Sequence, residues 1–130
     1  MEREVALDAI ARTVHEAMRA YQQALGENVV PAWVDSGWMQ DSSREGVEFA
    51  LGNPLPGAQH EQWCRTKERD GWVWGAVKDE TAKTHPSLRP FDDLPESEKI
   101  KDGILIGVVQ ALAPLYGLSP RDAAEHSEGP

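Results

Sequence analysis

The chain has one cysteine, few aromatic residues and no long apolar run. A lone Cys64 cannot form an internal disulfide, which is typical of proteins in a reducing compartment. No apolar segment approaches the roughly 20 residues that a membrane-spanning helix needs. The N-terminal segment "MEREVALDAI" is acidic and amphipathic, whereas a secretory signal peptide is basic and then apolar. We therefore expect a cytoplasmic protein without a membrane segment.

Positive charge is also scarce, because 13 Lys and Arg residues stand against 22 Asp and Glu residues, for a net charge of −9. This excess of acid argues against a nucleic-acid polymer as partner, since phosphates require a cationic face. Residues 65–91 are the exception: six basic and four acidic residues give +2 there and leave −11 for the rest. This basic segment is either a solvated mixed-charge face or a surface for a small anion.

Periodic apolar residues predict a mainly helical single domain. Between Leu7 and Leu25 they recur every three or four positions, and Gly26 is a helix-ending signal. Three further helices are predicted, one beginning at a capping box at Ser42, one over about 58–69, and one beginning near Pro95.

The domain is expected to span residues 1–118, with residues 119–130 as a flexible polar tail. In the last predicted helix, Gly103 and Gly107 lie about one turn apart. They indicate either the close approach of another helix or an ordinary packing requirement.

The segment "RDGWVWGAVK" places Trp72 and Trp74 between two glycines in the basic segment. Their alternation predicts a short strand with both indoles on one face. Two interpretations stay open. One or both indoles could be core, with Gly71 and Gly75 allowing sharp turns, or an indole could stay partly exposed as a plate for a planar anion. The candidate ligand-binding residues are Trp72, Trp74, Lys78, Lys83, His85 and Arg89.

Catalytic and metal chemistry find little support in the residue pattern. Structural zinc requires four Cys or His ligands, usually in two paired spacings, and only His60, Cys64 and His85 could contribute here. No helix N-terminus or oxyanion loop accompanies Cys64, and no glycine loop is free to cradle phosphate. We expect no enzyme, no catalytic residue, no metal and no cofactor. His60 and His85 are instead expected to hydrogen-bond backbone groups around the tryptophan motif.

Residues 60–102 contain "HEQW", "GWVWG", "HPSLRPFDDL" and "EK" in an order that resembles the RyR domain, the repeat domain of ryanodine receptors. Bacteria and bacteriophages have stand-alone members, and the long first helix is similar to that type. The matching positions are His60, Glu61, Trp63, Gly71, Trp72, Trp74, Gly75, Lys83, His85, Pro86, Leu88, Pro90, Phe91, Leu94, Glu98 and Lys99.

The resemblance implies a compact, mainly helical module with a small antiparallel β element, and does not imply a channel. It assigns structural roles to His60, Glu61, Trp63, Gly71, Gly75, Pro86, Leu88, Pro90 and Phe91. It also implies interaction surfaces and nucleotide-like small-molecule recognition. A phage-encoded member would act in the cytoplasm of the bacterial host.

Two classes of function follow. The first is a non-enzymatic binding module for a small anionic, nucleotide-like ligand or a protein partner. The second is a structural or assembly protein of a bacterium or phage, acting through protein–protein contacts or self-association.

Overall fold

The computed structural model describes residues 2–120, and helices form most of this part of the chain. The four α-helices are α1 (Arg3–Leu25), α2 (Met39–Gly52), α3 (Pro56–Arg69) and α4 (Glu96–Leu112). Short 3₁₀ turns lie at Trp33–Asp35, Phe91–Asp93 and Ala113–Tyr116. The predicted mainly helical class is confirmed. The tail predicted at 119–130 lies almost entirely outside the described residues.

Local signals explain most of the helix ends. Gly26 closes α1 in the left-handed conformation with φ 73°, which glycine adopts without steric cost. Pro56 is the first residue of α3, where its missing N–H costs nothing. The predicted start at Ser42 is wrong, because α2 already begins at Met39 and the serine lies inside the helix.

The hydrophobic core lies between α1, α2 and α4. It contains Leu7, Ile10 and Val14 of α1, Val47, Ala50 and Leu51 of α2, and Ile106 and Val109 of α4. Trp33 and Leu118 pack into the same cluster from the connecting and terminal segments. No residue of α3 belongs to this cluster, so α3 does not contribute side chains to the apolar core.

The β element is parallel, which corrects the antiparallel pairing that the family resemblance implied. Strands β1 (Val73–Trp74) and β2 (Thr84–His85) are joined by bonds from Val73 N to Lys83 O and from Gly75 N to His85 O. The intervening loop reverses twice. Its second reversal is held by an antiparallel bridge between Asp79 and Thr84, so β2 leaves the loop in the direction of β1.

The two glycines of α4 face open space. A Cβ atom at Gly103 or Gly107 would meet nothing within 4 Å, so close helix approach does not account for them. Among residues 2–120, no helix combines the length and the apolar character that crossing a membrane requires.

Candidate functional site

The inner face of α3 is polar. Its buried residues are Gln59, His60, Thr66 and Lys67, where a helix packed on a core normally buries apolar side chains. Gln59, Trp63 and Lys67 follow one another at four-residue intervals and therefore share one side of the helix. All three line a cavity between the helices.

This cavity has a volume of about 260 Å³. All four helices contribute to its walls, together with the segments before α2 and between β1 and α4. The apolar part of the wall includes Val14, Met18, Trp38, Leu94 and Leu105. A cavity with aromatic and aliphatic walls and a few polar groups has the general composition of a small-molecule site.

Lys67 is the most unusual polar group of the cavity. Only 7% of the residue is exposed, and its Nζ lies 4.2 Å from the ring centre of Trp38 and 4.6 Å from that of Trp72. The ring centre of Trp63 lies 5.8 Å from the same Nζ, so three indoles form a cage around the ammonium. The ammonium makes no hydrogen bond or ion pair with any residue in 2–120.

Burial, together with the nearby positive charge of Lys78, lowers the pKa of Lys67 to about 8. Cation–π contacts offset part of the cost of removing the ammonium from water. The cavity therefore contains a buried cation that forms no ion pair with any carboxylate of residues 2–120.

His85 is a neutral imidazole in the same cavity. Its Nδ1 accepts a hydrogen bond of 3.0 Å from the backbone N–H of Ser87, which leaves Nε2 as the protonated nitrogen. Burial lowers the pKa of His85 to about 4, and the charges of Lys78 and Lys67 act in the same direction. His85 is thus a hydrogen-bond donor without charge at neutral pH.

Asp102 and Gln59 supply acceptors to the cavity. Burial raises the pKa of Asp102 to about 7, with a further contribution from the charge of Glu98. One Asp102 carboxylate oxygen lies 3.8 Å from His60 Nδ1. Gln59 donates its amide N–H to Gly46 O at 3.0 Å, while its Oε1 is buried without a hydrogen-bond partner among the described residues.

The predicted ligand-binding residues do not all meet at one place. Lys78 and His85 line the cavity, and Trp72 is buried beside it, with its ring 6.1 Å from Trp38. Trp74 is 55% exposed and does not line the cavity.

Lys83 and Arg89 also lie outside the cavity lining. The ammonium of Lys83 donates to the carbonyl of Asp70 at 2.7 Å. Arg89 has its Nε buried without a hydrogen-bond partner among the described residues.

The predicted structural residues hold the loop after β2 against α3. His60 donates Nε2–H to Arg89 O at 2.8 Å, and Phe91 lies against the same imidazole with a centroid distance of 6.1 Å. Trp63 lies between His60 at 5.5 Å and His85 at 4.9 Å.

The other predicted structural residues have varied surroundings. Gly71 adopts φ 91°, which favours glycine. A Cβ at Gly75 would come within 2.6 Å of the Cβ of Thr84. Glu61 is exposed and, among residues 2–120, forms an ion pair only with Arg65, at 3.8 Å. Pro86 and Leu88 are partly buried, and Pro90 precedes the 3₁₀ turn at Phe91–Asp93.

Cys64, His60 and Asp102 stand in an order that suggests a nucleophile, a base and an orienting acid. The Sγ of Cys64 lies 3.4 Å from His60 Nε2. That nitrogen already donates to Arg89 O, so it cannot accept the thiol proton. Burial raises the pKa of the Cys64 thiol to about 11, so the arrangement does not produce a thiolate.

Sequence reasoning missed Lys67, Trp38, Gln59 and Asp102. One local signal was available, because the positions that share the inner side of α3 are Gln59, Trp63 and Lys67 rather than an aliphatic series. Trp38 and Asp102 gave no such signal, since their neighbours in space come from distant parts of the chain. No group of three or more His, Cys, Asp or Glu residues with a metal-binding arrangement occurs in residues 2–120.

Comparison with known proteins identifies the family of the segment that carries part of this site. No solved structure matches the chain. The family model of the RyR domain matches residues 50–108, a segment that contains α3, both strands and most of α4. The cavity walls from α1 and from the start of α2 lie before the matched segment. Residues 50–108 of this chain therefore belong to the RyR domain family, as the sequence motifs predicted.

Proposed function

We propose that this protein is a non-enzymatic binding module whose central cavity takes a small anionic, nucleotide-like ligand. The observation that carries the proposal is the buried ammonium of Lys67, which faces no anion within residues 2–120. Burying an unpaired charge is costly, and a bound anion would recover part of that cost.

The cavity walls support the nucleotide-like part of the proposal. Trp38 and Trp63 both line the cavity, and bases gain roughly 1–3 kcal/mol each by stacking on aromatic side chains. The volume of about 260 Å³ is slightly below the roughly 300–1,000 Å³ usual for ligand pockets. A mononucleotide or a smaller molecule suits this volume better than a dinucleotide does.

The proposed site differs in position from the indole plate predicted at Trp72 and Trp74. Trp72 contacts Lys67 with its ring 4.6 Å from the ammonium but does not line the cavity, and the ligand would lie on the cavity side of α3. The net charge of −9 repels long polyanions from the protein surface, while a small anion can reach the interior. A cytoplasmic location belongs to the same proposal, because one cysteine suits a reducing compartment.

Two half-exposed tryptophans offer a matched test. Trp38 is 46% exposed and lines the cavity, whereas Trp74 is 55% exposed and does not. Calorimetry with a panel of mono-, di- and cyclic nucleotides should detect binding that weakens about tenfold or more in Trp38→Ala and is unchanged in Trp74→Ala. Weakening in Trp74→Ala alone would mean that the ligand binds at the exposed surface around Trp74. Absence of heat from every member would refute the proposed function.

Exposed apolar residues on the outer side favour a second candidate, which is a role in protein–protein contacts. Val73, Trp74 and Val77 are 60%, 55% and 73% exposed and lie within five residues of one another. Apolar side chains grouped at the surface are typical of interaction sites. Concentration-dependent mass in analytical ultracentrifugation that disappears in Trp74→Ser would support self-association through this surface.

A further inference from the structure

Three basic side chains share one corner of the cavity, which we name the basic corner: Lys67, Lys78 and His85. Lys67 and His85 are both held against Trp72, whose ring lies 4.6 Å from the Lys67 ammonium and 6.3 Å from the imidazole. Lys78 is exposed and lies close enough to depress the protonation of both neighbours. The positive charges of Lys67 and Lys78 and the neutral imidazole of His85 therefore meet at this corner.

The acidic groups around the basic corner do not neutralise it. Glu98 accepts hydrogen bonds from Ser87 Oγ at 3.2 Å and from Lys101 Nζ at 2.8 Å. Asp70 and Glu80 act on Lys67 only through their charge, without an ion pair. Neither lysine of the corner has a carboxylate within ion-pair distance in residues 2–120.

The geometry points to a phosphate-monoester subsite in the basic corner, with Lys67, Lys78 and His85 as its donors. This inference rests on the proposed function and specifies which end of the ligand the corner binds. Two ammonium groups offer two positive charges to a terminal phosphate, which carries close to two negative charges at neutral pH. His85 Nε2–H adds a neutral donor to the three acceptor oxygens. A cyclic phosphodiester has one negative charge and would leave one ammonium unpaired.

Proton uptake is a consequence that does not depend on which base the ligand carries. With a pKa of about 8, about half of the Lys67 amines are protonated at pH 8. A phosphate dianion beside the amine favours the ammonium and raises its pKa, so binding takes up part of a proton. By linkage, affinity rises as the pH falls from 9 to 7, and declines once the phosphate itself is protonated near pH 6.

Calorimetry on the full chain at pH 8 tests the subsite. The probes are AMP, GMP, their 3′,5′-cyclic counterparts and inorganic phosphate, each in two buffers of different ionisation enthalpy. We expect the monoesters to bind about tenfold or more tightly than the cyclic forms, a factor that corresponds to about 1.4 kcal/mol. The buffer difference should show net proton uptake with the monoesters.

Variants separate the contributions of the side chains. Lys67→Met keeps an unbranched side chain in the indole cage, and it should weaken monoester binding roughly 100-fold and remove the share of proton uptake that Lys67 contributes. Lys83→Met is the matched control, because Lys83 bonds to Asp70 O outside the cavity and its loss should leave affinity unchanged. Lys78→Met gives a second test at an exposed position, with about tenfold weakening expected.

The outcomes distinguish the subsite from the proposed function. Cyclic nucleotides that bind as tightly as the monoesters would overturn the subsite and leave the binding module intact. Unchanged monoester affinity in a folded Lys67→Met protein would do the same. If Lys67→Met fails to fold, the monoester affinity of Lys78→Met and the proton uptake of the parent protein decide whether the subsite is correct. If no nucleotide binds, the proposed function fails together with the subsite.

Discussion

Trp72 and Trp74 stand two positions apart in one motif, yet one belongs to the cavity side of the protein and the other to the solvent side. Trp72 is 5% exposed and packs against Lys67, Trp38 and His85. Trp74 is 55% exposed. A similar contrast occurs on α4, where Asp102 points to the cavity while the adjacent Gly103 faces open space. Residue type therefore does not reveal which of two neighbouring side chains is buried beside the cavity and which faces solvent.

The largest expected effect comes from the tryptophan pair. We expect Trp72→Ala to lower the free energy of unfolding by roughly 3–5 kcal/mol, because it leaves a cavity and removes one wall of the Lys67 cage. Trp74→Ala should change it by no more than about 0.5 kcal/mol. Urea unfolding followed by circular dichroism measures both values. Equal losses would contradict the contrast between the two sides.

Asp102 should make stability depend on pH. Burial raises its pKa to about 7 in the folded protein, so the unfolded chain releases this proton at lower pH, and stability falls as pH rises from about 4 to 7. Asp102→Asn removes the ionisation and should raise the unfolding free energy at pH 8 by about 2–4 kcal/mol. At pH 4 the two proteins should be similar. An equal difference at both pH values would show that ionisation of Asp102 is not the cause.

Gly75 tests the close contact between the strands. A Cβ there would lie 2.6 Å from the Cβ of Thr84, so Gly75→Ala must displace β2. We expect a loss of about 1–3 kcal/mol, as for other overpacked contacts. Thermal unfolding of Gly75→Ala and of the Gly75→Ala, Thr84→Gly double variant provides the check. If the double variant loses as much stability as the two single variants added together, the cause is not steric.

The smallest effect should be a gain on the solvent side of α4. Gly103→Ala and Gly107→Ala introduce a methyl group into open space, and each should raise stability by about 1 kcal/mol through better helix propensity. Differential scanning calorimetry would show this as a higher melting temperature. A lower melting temperature for either variant would mean that the added methyl group does not lie in open space.

Local sequence patterns were sufficient for much of the fold. The apolar stripe from Leu7 to Leu25 predicted α1, Gly26 predicted its end, and the motifs from His60 onward identified the RyR domain. These features depend on neighbours within one or two turns, so they can be read without knowledge of the packing. The capping box at Ser42 failed because α2 begins three residues earlier, where no side chain caps the helix.

Most of the candidate site could be recognised only from the tertiary structure. Lys78 and His85 were predicted as ligand residues and line the cavity, but Lys67 was not singled out, because a lysine in a charged helix usually faces solvent. Its burial depends on Trp38 and Trp72, which lie 29 residues before and five residues after it in the chain.

The direction of β2 was likewise decided by a double reversal in the loop, held by Asp79 and Thr84. Residue order determined the helices and the family. Packing between distant segments decided which side chains are buried together, and with them the electrostatics of the cavity.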